Sequence, residues 1–112
     1  MPQEARVSYL VYVTVPQKDA ALRLARLLVE RRLAAGANVL PGAFSVYRWQ
    51  GKVREAEECL LLAQVSRAAF ADVMALVRQE HPYQLPCVVA LPLEDGLRPF
   101  LRWIDRNSRP LA

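Results

Sequence analysis

From position 7 to 15 the chain reads VSYLVYVTV, apolar on both parities. Val7, Tyr9, Val11 and Val13 take one side, Leu10 and Tyr12 the other. β-Branched and aromatic residues in such a run predict a strand, and Pro16 stops it. The period then changes. Leu22, Ala25, Leu28 and Val29 recur at helical spacing, which predicts a helix over 19–35. Arg23, Arg26 and Glu30 form its wet face, with Arg26 and Glu30 four apart. Asp19 is the candidate cap, and Gly36 is placed to end the helix. Residues 37–50, ANVLPGAFSVYRWQ, are extended but broken by Pro41-Gly42, which predicts a bulge or an edge strand. Gln50-Gly51 turns the chain into a hairpin whose return strand runs over 52–65. Ser66 caps a second helix carrying Phe70, Val73, Met74 and Val77. HPYQLP breaks it, 88–93 reads as a fourth strand, and Leu97, Phe100, Leu101 and Ile104 mark a terminal helix with Pro99 in its first turn.

The order β-α-β-β-α-β-α predicts an α+β fold of the ferredoxin-like, split βαβ kind, one domain over 1–112. Three strands, VSYLVYV, CLLLA and VVALPL, are apolar on both faces. Two main helices cover one face of a four-stranded sheet. The other face is then a large apolar patch, more than soluble monomers usually leave open. Either an oligomer buries it or the terminal helix folds across it.

Composition narrows the function classes. The chain has 112 residues, 54% hydrophobic and 23% charged, as globular domains do. Its net charge of +4 is too mild to argue for nucleic acid. Two cysteines, Cys59 and Cys87, make no disulfide framework. No apolar run is long enough to span a bilayer, and MPQEARVSYL has no signal-peptide pattern. A soluble, cytoplasmic protein without a membrane partner is expected.

Catalytic patterns are sparse. There is no Gly-rich phosphate loop, no H-E-x-x-H and no C-x-x-C. Cys87 and His81 share one short segment, whereas a nucleophile and its base usually converge from separate elements. Glu55, Glu57 and Glu58 read as a charged strand edge rather than an acid–base pair. Arg98, Arg102 and Arg106 are four apart, with Arg109 beyond; they read as the wet face of the last helix more than as a phosphate track. Tyr47 and Trp49 alternate to one face of the hairpin, fit to stack a ligand or to anchor a neighbouring subunit. No enzyme activity is expected.

The ordered set Pro41-Gly42, Tyr47, Trp49, Gly51-Lys52, His81-Pro82-Tyr83, Pro86 and Trp103-Ile104, with the runs EECLLL and VVALPLEDG, resembles the CutA family of divalent-cation tolerance proteins. The resemblance covers about residues 9–105. It implies a ferredoxin-like fold, a tight homotrimer similar to the PII signal proteins, the cytoplasm, and an association with copper or another divalent cation. It places Tyr47, Trp49, Lys52 and Tyr83 at a cleft between subunits. Of the metal ligands proposed for some members only His81 is present; Gly36, Val13 and Glu80 stand where the others would be.

Two readings of HPYQLPC follow. His81 is either a structural corner beyond a helix end, stiffened by Pro82 and Pro86, or a metal ligand joined by Cys87 or Glu80, a donor set suited to copper or zinc. Two readings of function follow as well. The first is a trimeric, non-enzymatic cation-tolerance protein that binds a divalent metal weakly or a small ligand between subunits. The second is a PII-like interaction module taking an anionic ligand or a protein, motivated by Arg48, Lys52 and Arg54 on the hairpin. An RNA-binding domain of this fold needs exposed aromatics on the sheet face expected to be covered.

Overall fold

The computed structural model describes residues 8–111. Val7 and the segment before it, to which the first-strand and signal-peptide expectations extend, lie outside the described residues. The elements are β1 (Ser8–Val15), α1 (Lys18–Glu30), β2 (Gly36–Trp49), β3 (Lys52–Ser66), a single 3-10 turn at Arg67–Ala69, α2 (Phe70–Glu80), β4 (Val88–Leu93) and α3 (Arg98–Asn107). The sheet is antiparallel throughout, in the order β2-β3-β1-β4. This is the expected ferredoxin-like α+β arrangement.

Register decides which residues become core. Val11, Val13 and Val15 of β1 sit opposite Ala63, Leu61 and Cys59 of β3, all on one face and all buried. Ala21, Leu24 and Leu28 of α1 and Val73, Leu76 and Val77 of α2 close over that face. Each fully buried Leu or Val contributes about 1.5–3 kcal/mol. Arg23 of α1 reaches Glu80 of α2 at 2.8 Å, across the two helices rather than along one. No bond joins Arg26 to Glu30 among the described residues.

Helix α1 departs from expectation at both ends. Its cap position is Gln17, with no side-chain cap bond; Asp19 lies inside the first turn, near the positive helix end. The helix stops at Glu30, five residues before the apolar rhythm does. Arg32 takes φ 61°, and the Leu33 amide donates back to Leu28. That is the left-handed closure usually given to glycine. Leu33, Ala34 and Ala35 continue the apolar pattern because they are a buried loop. Gly36 does not end the helix; it opens β2. A side chain there would meet Gln64 Oε1 at 2.8 Å and the Trp103 ring at 3.4 Å.

Ser66 does cap, as expected: its Oγ accepts from the Ala69 amide at the turn leading into α2. The expected break at Pro41-Gly42 is a bulge. Pairing shifts between Leu40 and Ala43, and Gly42 adopts φ +86° there. One extra residue reverses the parity of the rest of β2. Before the bulge Ala37 and Val39 face the core. After it, Ala43, Ser45, Tyr47 and Trp49 face the opposite side, and Phe44 and Val46 take the helix side.

Of the two expectations for the second face, the folding of the terminal helix across it is realised in part. Helix α3 lies over one end of it, with Trp103 against Gly36 and Gln64. Ser108 locks that end: its hydroxyl accepts from the Ser66 amide at 2.7 Å and donates to the Leu33 carbonyl at 2.5 Å. The rest stays open, with Val89 and Leu91 about half exposed. The β2–β3 ribbon also runs on where no helix covers it. Phe44 is 83% exposed, Val46 67% and Val53 62%. The chain is correspondingly elongated, 45 × 25 × 22 Å.

Candidate functional site

The parity change at the bulge creates a site. Ser45, Tyr47 and Trp49 of β2 now share the open face with Tyr12 and Thr14 of β1 and Glu58 of β3. The segment between α2 and β4 brings Tyr83, Gln84, Leu85 and Cys87 to the same place. Together they line a cleft of about 430 Å³. Tyr47, Trp49 and Tyr83, expected at a cleft between subunits, line this cleft of the single chain. Lys52 does not; it pairs with Trp49 at the exposed hairpin end.

Glu58 is the one charged wall. The expectation of a solvated acidic edge holds for Glu55 and Glu57, which are exposed on the other face, but not for Glu58, which is 5% exposed. The Tyr83 hydroxyl donates to Glu58 Oε2 at 2.7 Å. No cation pairs with Glu58 among the described residues. Burial, and then the bond and charge of Glu58, raise the Tyr83 hydroxyl above its ordinary range. Burial also pushes the Cys87 thiol up, with Glu58 adding to the shift and hydrogen bonds to Thr14 opposing it.

His81 anchors the segment from behind. It is buried at 8% exposure. Its Nδ1 accepts from the Tyr83 amide at 3.1 Å, so the proton sits on Nε2, which donates to the Thr14 carbonyl at 2.6 Å. The ring lies 4.8 Å from that of Tyr83, tilted by 49°. Both nitrogens are thus engaged by protein, and a metal at either one displaces a hydrogen bond.

A divalent metal does not fit the donors of one protomer. Among the described residues no three of His, Cys, Asp and Glu converge as a metal site. The positions grouped with His81 by resemblance are dispersed: Val13 is in the core, Gly36 lies under Trp103, and Glu80 is paired with Arg23. A soft metal binds thiolate, and the Cys87 thiol is shifted toward its protonated form.

Tyr12, Thr14 and Ser45 were not singled out from sequence as site residues, and Glu58 was read there as part of a charged strand edge. The available signal was the parity of β1 combined with a bulge at Pro41-Gly42. Arg98, Arg102 and Arg106 occupy the exposed face of α3, away from the cleft lining.

Comparison with known proteins agrees with this architecture. The profile of the CutA1 divalent ion tolerance protein family matches residues 9–107. The divalent-cation tolerance protein CutA of Thermus thermophilus is 44% identical over 99 residues, covering 88% of this chain and 96% of that protein. Its solved structure superposes with a TM-score of 0.88, over 90% of this chain and 98% of that one. CutA1 from Oryza sativa superposes at 0.89 with 38% identity, over 94% and 96%. The chloroplastic protein CutA of Arabidopsis thaliana is 38% identical over 91% of this chain, which spans 56% of that longer relative. With a matching profile over nearly its whole length, the chain belongs to the CutA1 divalent ion tolerance family.

Proposed function

We propose that the protein serves divalent-cation tolerance as a homotrimer, without enzymatic turnover, through a cleft on its open sheet face that neighbouring subunits complete. The observation that carries this reading is the uncovered apolar surface. Leu40, Val89 and Leu91 are about half exposed on the open face, and Phe44, Val46 and Val53 stand bare on the other side of the ribbon, more apolar exposure than soluble monomers usually carry. Closed symmetry buries such a surface on every copy at once.

Copper or another divalent cation binds weakly in this reading, because one protomer supplies too few free donors and any fuller site needs ligands from two copies. The cytoplasm is the proposed compartment. Cys59 and Cys87 are both free thiols, and among the described residues no helix is long and apolar enough to cross a membrane. Relatives carry other addresses in their names, chloroplastic in Arabidopsis thaliana and periplasmic in Archaeoglobus fulgidus. Calorimetric titration of the metal-free protein with copper and with zinc, beside a mass measurement in solution, tests the proposal. A trimer with weak, substoichiometric metal binding is expected. A monomer, or a tight single site per chain, contradicts it.

A further inference from the structure

The cleft has a composition that selects its ligand. Its one charged wall is a buried carboxylate, and four aromatic residues line the cleft with it. Burying a charge without a partner is costly. Glu58 is 5% exposed and takes one hydrogen bond, from the neutral Tyr83 hydroxyl. A carboxylate has about four acceptor positions, so this bond leaves the others to solvent or to a ligand. Tyr12, Tyr47, Trp49 and Tyr83 contribute the rings. Aromatic faces carry negative potential and attract cations, with Trp the strongest.

From these observations we infer that the cleft is a binding site for small organic ammonium cations, the charged head set against Glu58 and the alkyl part beside Tyr83 and Tyr47. The inference rests on the proposed reading of this cleft as the ligand site, and it names the class of ligand. A metal ion needs several convergent oxygen, nitrogen or sulfur donors, which the cleft lacks. An ammonium head needs only one carboxylate and aromatic faces. The volume, about 430 Å³, admits a chain of several carbons beside the head. Burial first, and Glu58 after it, raise both the Tyr83 hydroxyl and the Cys87 thiol. Lys52 and Arg54 share the open face opposite Trp49 and Tyr47, but they stand outside the lining, toward the hairpin end.

The test uses three probes of one length: n-butylammonium, 1-butanol and butyrate. Binding to the full chain is followed by tryptophan fluorescence and by calorimetry. We expect n-butylammonium to bind at least tenfold more tightly than 1-butanol, and butyrate to bind least. Glu58→Gln keeps an acceptor for Tyr83 and should erase the preference for the cation. Where that variant fails to fold, the comparison of the three probes on the parent chain still decides. Equal binding of butylammonium and butanol overturns the inference, because the cleft then reads as merely apolar. Tighter butyrate overturns it in favour of an anion site. No binding of any probe to a chain that still forms trimers overturns it too, and leaves the assembly reading standing; failure to assemble strikes the proposed function instead.

Discussion

His81 is the only histidine in the chain, and its two ring nitrogens hold Thr14 and Tyr83 in place. It therefore positions one wall of the cleft. His81→Ala leaves a buried carbonyl and amide without partners, a cost of about 1–3 kcal/mol. A thermal melt should show that loss, while affinity for copper stays within about tenfold of the parent. A larger drop in affinity would make the imidazole a ligand. Tyr83 gives a pH signature. Burial and Glu58 raise its hydroxyl above the ordinary value of 10.0, so the folded chain holds that proton more firmly than the unfolded one. Its contribution is complete below about pH 10 and is lost as pH rises through the folded value. Tyr83→Phe should flatten the alkaline decline of the melting temperature; an unchanged alkaline slope would show that the bond to Glu58 does not count. At this scale the sequence was legible in residue type only. The aromatic pair Tyr47 and Trp49 stood out, but Glu58 looked like its neighbours Glu55 and Glu57. What separates them is burial, which depends on a segment twenty-five residues further on.

The β2–β3 ribbon turns local irregularity into function. A single bulge at Pro41-Gly42 moves Ser45, Tyr47 and Trp49, along with Ala43, onto the face where Glu58 waits. Gly42 sits at φ +86°, a conformation that costs an L-residue about 1–2 kcal/mol. Gly42→Ala should lower stability by that amount and loosen the cleft, read as weaker quenching of Trp49 by ligand. The far end of the open face depends on Ser108, whose hydroxyl satisfies the Ser66 amide and the Leu33 carbonyl at once. Ser108→Ala should cost about 1–3 kcal/mol in chemical denaturation and free the chain beyond α3. A neutral effect would mean the tail docks without it. Strand and helix identities were legible because their periods are strong. The end of α1 was not, because Leu33, Ala34 and Ala35 keep the apolar rhythm inside a buried loop and Arg32 takes the turn that glycine was expected to make. Ser108 carried no period at all.

The molecule as a whole shows a sheet with one face closed by helices and the other closed only at one end. Apolar residues on both faces of β1, β3 and β4 made that imbalance legible before any coordinates. How far α3 would reach was not, since its coverage depends on the close approach of Trp103 to Gly36. The family supplies the fold; the open face and the projecting ribbon argue for partners of the same chain. Trp49, near the ribbon's end, is the natural anchor, and Trp49→Ala should weaken assembly by about 2 kcal/mol or more. Assembly itself is the central claim, and light scattering on the purified chain at micromolar concentration tests it most directly. The account predicts a single species of about three times the monomer mass that persists on dilution. A clean monomer of the same fold would contradict it.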